Sequence, residues 1–218
     1  MTNFNIKIIS DTVCPWCYVG KKKLDKAIEL YRKVYPGGKD DTFTISWYPF
    51  YLDPTSPKVG IPVNERMAQR FGADRLPAMQ ARLKSIGEQE GINFRNAGKI
   101  GNTRDSHRLI QLGKTKGNEM ENRVVLELFK SYFEGTGDIT SHAMLIEAAE
   151  KAGLDKQETK TWLEEGKGGE QVDAEVQEAY RRDIHGVPHF TIQDKYEVDG
   201  AQDPDAFIEA FASVRKGK

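Results

Sequence analysis

The sequence predicts an α/β fold in which a βαβ unit and a ββα unit flank a large all-helical insertion, and three observations carry this. Residues 1–60 hold a strand-like run, a Cys-x-x-Cys at a helix start and a second strand. Residues 61–166 carry mostly helical periodicity, and residues 167–218 return to a helix, two short strands and a last helix.

Asn5-Ile6-Lys7-Ile8-Ile9 reads as a buried strand, and Ser10-Asp11-Thr12 supplies turn and capping residues ahead of the cysteines. Leu24, Ala27, Ile28, Tyr31 and Val34 recur at helical spacing, so a helix covers residues 22–35, and Pro36-Gly37-Gly38 stops it. Phe43-Thr44-Ile45-Ser46-Trp47-Tyr48 alternates with period two and is rich in β-branched and aromatic residues, which completes the βαβ unit. Pro54, Pro57, Gly60 and Pro62 then change the texture. Amphipathic helices are expected over 63–71, 77–90, 103–114, 119–133, 141–152 and 156–165, and Gly166-Lys167-Gly168-Gly169 reads as the hinge back to the main fold. A helix over 172–184, a hairpin around Asp194-Lys195, and a final helix capped by Asp203 and opened by Pro204 close the chain.

With 218 residues, 38% of them hydrophobic, the chain can bury one large core, and a single compact unit is expected. Lysine and arginine (32) nearly balance aspartate and glutamate (33), so no global field favours nucleic acid or a membrane surface as partner. No apolar run approaches the roughly 20 residues that span a bilayer, and residues 1–9 alternate instead of forming a signal-peptide core. A cytoplasmic protein is the expectation.

The only two cysteines are Cys14 and Cys17 in Cys14-Pro15-Trp16-Cys17. If a helix begins near Cys14, the pair lies on one face, one turn apart. Backbone amides and the helix dipole then favour a thiolate at Cys14, below the free value of about 8.5. Cys14 is the expected nucleophile and Cys17, one turn further in, the resolving thiol that attacks the mixed disulfide. Pro15 suits the first turn, where its missing N–H is not needed, and Trp16 is expected as a partly exposed aromatic beside the sulfur. A structural disulfide closing so small a loop removes little chain entropy. Zinc would need two more ligands; His185 and His189 offer an HxxxH pair, but Gly186 and Pro188 argue against a helix presenting both rings, so no metal is expected.

Two motifs, Ser10-Asp11-Thr12-Val13-Cys14-Pro15-Trp16-Cys17-Tyr18-Val19-Gly20 and Gly186-Val187-Pro188-His189-Phe190, together with the element order, resemble the thioredoxin fold in its DsbA-like form over nearly the whole chain. With Asn102-Thr103-Arg104-Asp105-Ser106-His107-Arg108-Leu109 and Gly200-Ala201-Gln202, the chain is similar to the FrnE-like branch of DsbA-type oxidoreductases. The resemblance implies that Pro188 is a cis-proline packed against the cysteines and that Val187 and Pro188 contact an extended substrate segment. It also places His107, with Asn102 and Thr103 at or before the start of its helix, near the cysteines as candidate pocket residues, although cap chemistry alone explains Asn102 or Thr103. Asp11 is a further candidate whose plainer role is a turn or cap. His189 departs from the pattern, where an apolar or aromatic residue is expected. It tunes Cys14 only if it faces the active site, and a partly exposed strand histidine is the preferred reading.

The function expected is thiol–disulfide exchange through Cys14 and Cys17 with protein or small thiol substrates, without metal or organic cofactor. Glutathione is a candidate co-substrate, and the direction of turnover is not legible. One alternative is a glutathione-dependent transferase or isomerase of the kappa-class or hydroxychromene-carboxylate type, which shares the insertion topology but typically carries serine where this chain has Cys14. Another is a non-enzymatic metal-binding or interaction module. The helical insertion presents apolar faces for a substrate groove, a homodimer contact or ordinary core, and periodicity does not separate these.

Overall fold

The computed structural model describes residues 1–217. β1 (Asn3–Ser10) pairs in parallel with β2 (Thr42–Pro49), and α1 (Pro15–Val34) connects them. Two further strands, β5 (His189–Ile192) and β6 (Tyr196–Asp199), add antiparallel to give the order β2-β1-β5-β6.

Phe4, Ile6 and Ile8 alternate along β1 and are 0–1% exposed. Period two puts them on one face with Phe190, which pairs opposite Ile8. α1 and α9 (Pro204–Lys216) pack on that face, where Phe207 meets the Phe190 ring edge-on at 4.9 Å and Phe211 meets Phe4 at 5.1 Å. Ile9 points to the opposite face and packs with Phe50, Ala179 and Ile184. That second layer includes α8 (Gly169–Arg181), which starts and stops three residues earlier than the periodicity predicts. Gly168 adopts a left-handed φ of 74° just before the helix and its carbonyl already accepts from the Val172 amide, so Gly169 belongs to the helix and not to the hinge. At the other end Asp183 turns left-handed (φ 60°) and Ile184 donates to the Ala179 carbonyl, closing the helix.

Between β2 and α8 lie the helices of the insertion: α2 (Val63–Phe71), α3 (Leu76–Gln89), α4 (Arg104–Thr115), α5 (Asn118–Phe129), α6 (His142–Ala152) and α7 (Lys156–Glu164). α5 continues as a wider π-type turn over Lys130–Glu134, and a two-residue ladder joins β3 (Ile61–Pro62) to β4 (Lys99–Ile100). β2 is an outer strand, and α5 closes its open edge: Asn118 Oδ1 accepts from the Ile45 amide, Glu121 Oε1 from the Trp47 amide at 2.8 Å, and Asn122 donates to the Ile45 carbonyl at 2.8 Å. The core is continuous from Phe4 and Leu24 under the sheet to Leu109, Leu128 and Leu145 in the helical layer. No described helix is long and apolar enough to cross a membrane.

Candidate active site

Cys14 is the residue immediately before α1, with φ −89° and ψ 110°, and Cys17 lies in the first turn. The break arises locally: the Cys14 amide donates to the Asp11 carbonyl at 3.0 Å in a tight turn, and Pro15 starts the helix. Among the described residues no side chain caps this helix, so its leading amides are left without a side-chain acceptor beside the Cys14 sulfur. Both thiols are free. Cys14 lines an open cleft with Pro15 and Trp16, and Trp16 is 37% exposed, as expected of an aromatic beside the sulfur. Cys17 is completely covered and does not line the cleft. Burial pushes its thiol well above the ordinary value, helped by a hydrogen bond to Cys14 and the charge there, while the Ser10 hydroxyl and the Asp11 backbone pull the other way.

The Val187–Pro188 peptide bond is cis, and the loop lies against α1. The Cys14 thiol donates to the Val187 carbonyl at 3.5 Å, and the Gly200 amide holds the Pro188 carbonyl at 2.8 Å. Gly20 permits this close approach. A Cβ there would stand 3.0 Å from Pro188 Cγ and 3.0 Å from Phe190 Cζ.

Asp11 is not only a turn residue. It is 1% exposed, and one carboxylate oxygen accepts from the Leu52 amide at 2.9 Å, pinning the loop that follows β2. The other oxygen faces His107 Nε2 at 3.5 Å, and among the described residues neither of these two atoms has a hydrogen-bond partner of good geometry. His107, 3% exposed, comes from α4, which is tied to the cysteine turn by Thr12 and Ser106 hydroxyls 2.7 Å apart. The Ser106 hydroxyl in turn donates to the Thr103 carbonyl. Thr103 lines the cleft, whereas Asn102 uses its side-chain oxygen on the Arg104 amide, which is cap chemistry.

The cleft encloses about 440 Å³. Val187, Leu52, Ile100, Tyr132 and Phe133 form its floor beside Cys14, and α2 and α3 form its outer wall. Across the mouth, Asp53 is held at about 2 by the Thr55 hydroxyl, against burial, and by Arg66 and Ser56. Tyr132 has a buried hydroxyl without a partner among the described residues, and burial followed by the Asp11 charge raises its pKa.

His189 lies in a strand and faces away from the cysteines, as the preferred reading has it, but it is buried where partial exposure is expected. It is 6% exposed and sits opposite Ile9 on the sheet face away from α1, so strand parity turns it from the cysteines. Its ring meets Asp199 at 2.5 Å and Thr191 at 3.4 Å instead. His185 is exposed beside Asp183. The sequence reading missed Ser10 beside Cys17, the Thr12–Ser106 link and Tyr132, and it left open whether the apolar faces of the insertion, here the α2 and α3 wall, border a groove. Only those faces left a signal, in their helical apolar spacing.

A thioredoxin-type sheet with a dithiol at the α1 start, a Val-Pro loop against it and a helical insertion defines the class. The family model of the DSBA-like thioredoxin domain matches residues 5–212, and the chain belongs to that family. It is 31% identical over 220 residues to the "Uncharacterized protein YwbO" of Bacillus subtilis, covering 98% of both chains. Among solved structures, the "probable DsbA oxidoreductase SCO1869" of Streptomyces coelicolor superposes with a TM-score of 0.86 at 28% identity, over 99% of this chain and 91% of that one. A 2-hydroxychromene-2-carboxylate isomerase shares the fold, with a TM-score of 0.67 at 16% identity over 97% and 95% of the two chains.

Proposed function

We propose that this protein is a thiol–disulfide oxidoreductase in which Cys14 attacks and Cys17 resolves. The observation that carries this is the asymmetry of the dithiol: Cys14, 3% exposed, borders the cleft at a helix start that no side chain caps among the described residues, while Cys17, 0% exposed, does not reach the cleft and is hydrogen-bonded to Cys14. The Cys14 thiolate attacks a substrate disulfide, the S–S bond breaks and one substrate thiolate leaves. Cys17 then loses its proton and attacks Cys14 Sγ, releasing the second thiol and leaving a Cys14–Cys17 disulfide, so two electrons pass to substrate. The reverse sequence oxidises a dithiol.

A covered thiol needs a base. Asp11, whose backbone meets the Cys17 sulfur, is assigned to take that proton in this reading; the Leu52 amide holds one oxygen of its carboxylate and the other faces His107 at 3.5 Å. Val187 and Pro188 are assigned to hold the substrate segment beside Cys14, supported by the Cys14–Val187 contact. Partners are thiol- or disulfide-bearing proteins or glutathione in a reducing, cytoplasmic setting, where a lone CxxC is more often catalytic than structural. The similarity to a probable DsbA oxidoreductase supports this reading. A glutathione-dependent isomerisation is the second reading, favoured only by the fold shared with the isomerase.

The test is trapping. Cys17→Ser should accumulate thiol-sensitive adducts at Cys14 under conditions where the wild type turns over, and Cys14→Ser should form none and lose exchange. Adducts absent from Cys17→Ser, or exchange surviving in Cys14→Ser, would remove the assignment.

A further inference from the structure

The apolar face of α2 and the N-terminal part of that of α3 border the cleft, while Leu83 and Ile86 further along α3 also pack against the core. Val63, Arg66, Met67, Arg70 and Phe71 fall at i, i+3, i+4, i+7 and i+8, the spacing of one helix face, and every one of them lines the cleft. α2 has no buried residue at all. On α3, Leu76, Met79, Gln80 and Leu83 repeat the pattern toward the same space, and only Gly87 of that helix is buried. Phe71 and Met79 remain 40% and 41% exposed. A stripe of this spacing is ordinarily covered by other elements. Two of them converging on one cavity leave an apolar surface that an occupant covers, and methionines suit such a wall because they repack around different shapes.

Charge on the same wall narrows the occupant. Asp53 is neutralised by Arg66, and Asp11 lies deeper beside His107. Arg70 and Arg82 line the cleft from exposed positions, and among the described residues neither makes an ion pair. The Arg70 guanidinium rests over the Phe71 ring at 5.4 Å, which holds it beside the apolar stripe. The volume of about 440 Å³ lies within the roughly 300–1,000 Å³ of small-molecule sites.

From this we infer that the cleft takes a small substrate with an apolar, ring-sized body and an anionic group, the body lying on the α2 and α3 faces and the anion at Arg70 and Arg82. The inference rests on the oxidoreductase reading for its chemistry: the reacting group is a disulfide within the substrate, reduced by Cys14 and Cys17 as above, with a thiol reductant restoring the dithiol in later cycles. A carboxylated aryl disulfide is the model of this class.

Binding is tested apart from redox chemistry. Calorimetric titration of Cys14→Ser with 4-biphenylcarboxylate should show saturable one-to-one binding, and 4-biphenylmethanol, the uncharged counterpart, should bind about five- to tenfold more weakly, the scale of two exposed charge contacts. In the wild type, bound 4-biphenylcarboxylate should slow iodoacetamide alkylation of Cys14, which places it in the cleft. The Arg70→Gln/Arg82→Gln double variant should bring the two affinities together, and Met67→Asp should abolish both. In single turnovers of pre-reduced protein, 5,5′-dithiobis(2-nitrobenzoate) should be preferred over neutral 2,2′-dithiodipyridine by a ratio that the double variant lowers toward one, after correction for the intrinsic reactivity of each disulfide with free thiol. No saturable binding, binding that leaves Cys14 alkylation unchanged, or tighter binding of an uncharged apolar peptide would overturn the inference. Because the calorimetry uses a protein without the nucleophile, it succeeds or fails independently of the dithiol assignment.

Discussion

Replacing Gly20 by alanine tests whether the Val187–Pro188 loop is held by its fit against α1. The added Cβ would lie 3.0 Å from both Pro188 Cγ and Phe190 Cζ, inside ordinary van der Waals contact, so the ring and the proline must retreat by a few tenths of an ångström. Overpacking of a well-packed contact costs about 1–3 kcal/mol. Alanine's better helix propensity within α1 returns up to about 1 kcal/mol of that, so for a chain of this size the net fall in Tm is at most about 8 °C. The same retreat carries Val187 away from Cys14, whose thiol reaches its carbonyl at 3.5 Å, so disulfide exchange should slow by about two- to tenfold. Gly186→Ala is the matched control: it lies in the same loop, its φ is not left-handed, and an added Cβ there meets nothing within 4 Å. Scanning calorimetry and single-turnover exchange on the two variants give the comparison. If Gly20→Ala matched Gly186→Ala in both Tm and exchange rate, the argument that this contact positions the loop would be refuted.

The covered position and raised pKa of Cys17 predict that iodoacetamide modifies Cys14 alone in the native protein to pH values well above about 8.5, and both thiols after denaturation; equal native rates would contradict the asymmetry. Asp11→Asn should lengthen the life of the mixed disulfide roughly ten- to hundredfold at pH 7, and raising the pH should restore much of the rate as hydroxide replaces the base. A loss that is flat with pH would instead indicate a structural role. At the far end of the sheet, burial opposes the charge of Asp41, but Arg215, the Thr2 amide and the Tyr31 hydroxyl outweigh it and hold its carboxyl below the ordinary range. A depressed folded value stabilises above the unfolded value of about 3.9 and is lost as pH falls through the folded one, so Asp41→Asn should lower Tm at pH 7 and converge with the wild type in acid.

The βαβ and ββα units were readable because each is written locally: alternation in Phe43–Tyr48, a helical stripe from Leu24 to Val34, and a proline-glycine stop. The dithiol was readable for the same reason, since residues 14 and 17 meet within one turn. Asp11 and His107 are joined only by the docking of α4 on the cysteine turn, and no local pattern announces a contact over that span. His189 depended on strand parity relative to Ile9, which pairing decides and composition does not. The α2 and α3 stripes were visible as amphipathic helices, but periodicity states that a face is apolar and not whether core or cleft lies against it. The two-residue ladder of Ile61–Pro62 with Lys99–Ile100 is too short for alternation to register.

The most direct test of the central claim is equilibration of the purified protein across a series of reduced-to-oxidised glutathione ratios, with acid quenching and mass measurement of Cys14 and Cys17. A single two-electron transition from two free thiols to a Cys14–Cys17 disulfide is expected, and its midpoint reports whether the protein is poised to reduce or to oxidise. Thiols that do not titrate, or a glutathione adduct that persists on Cys14 with Cys17 still free, would contradict it.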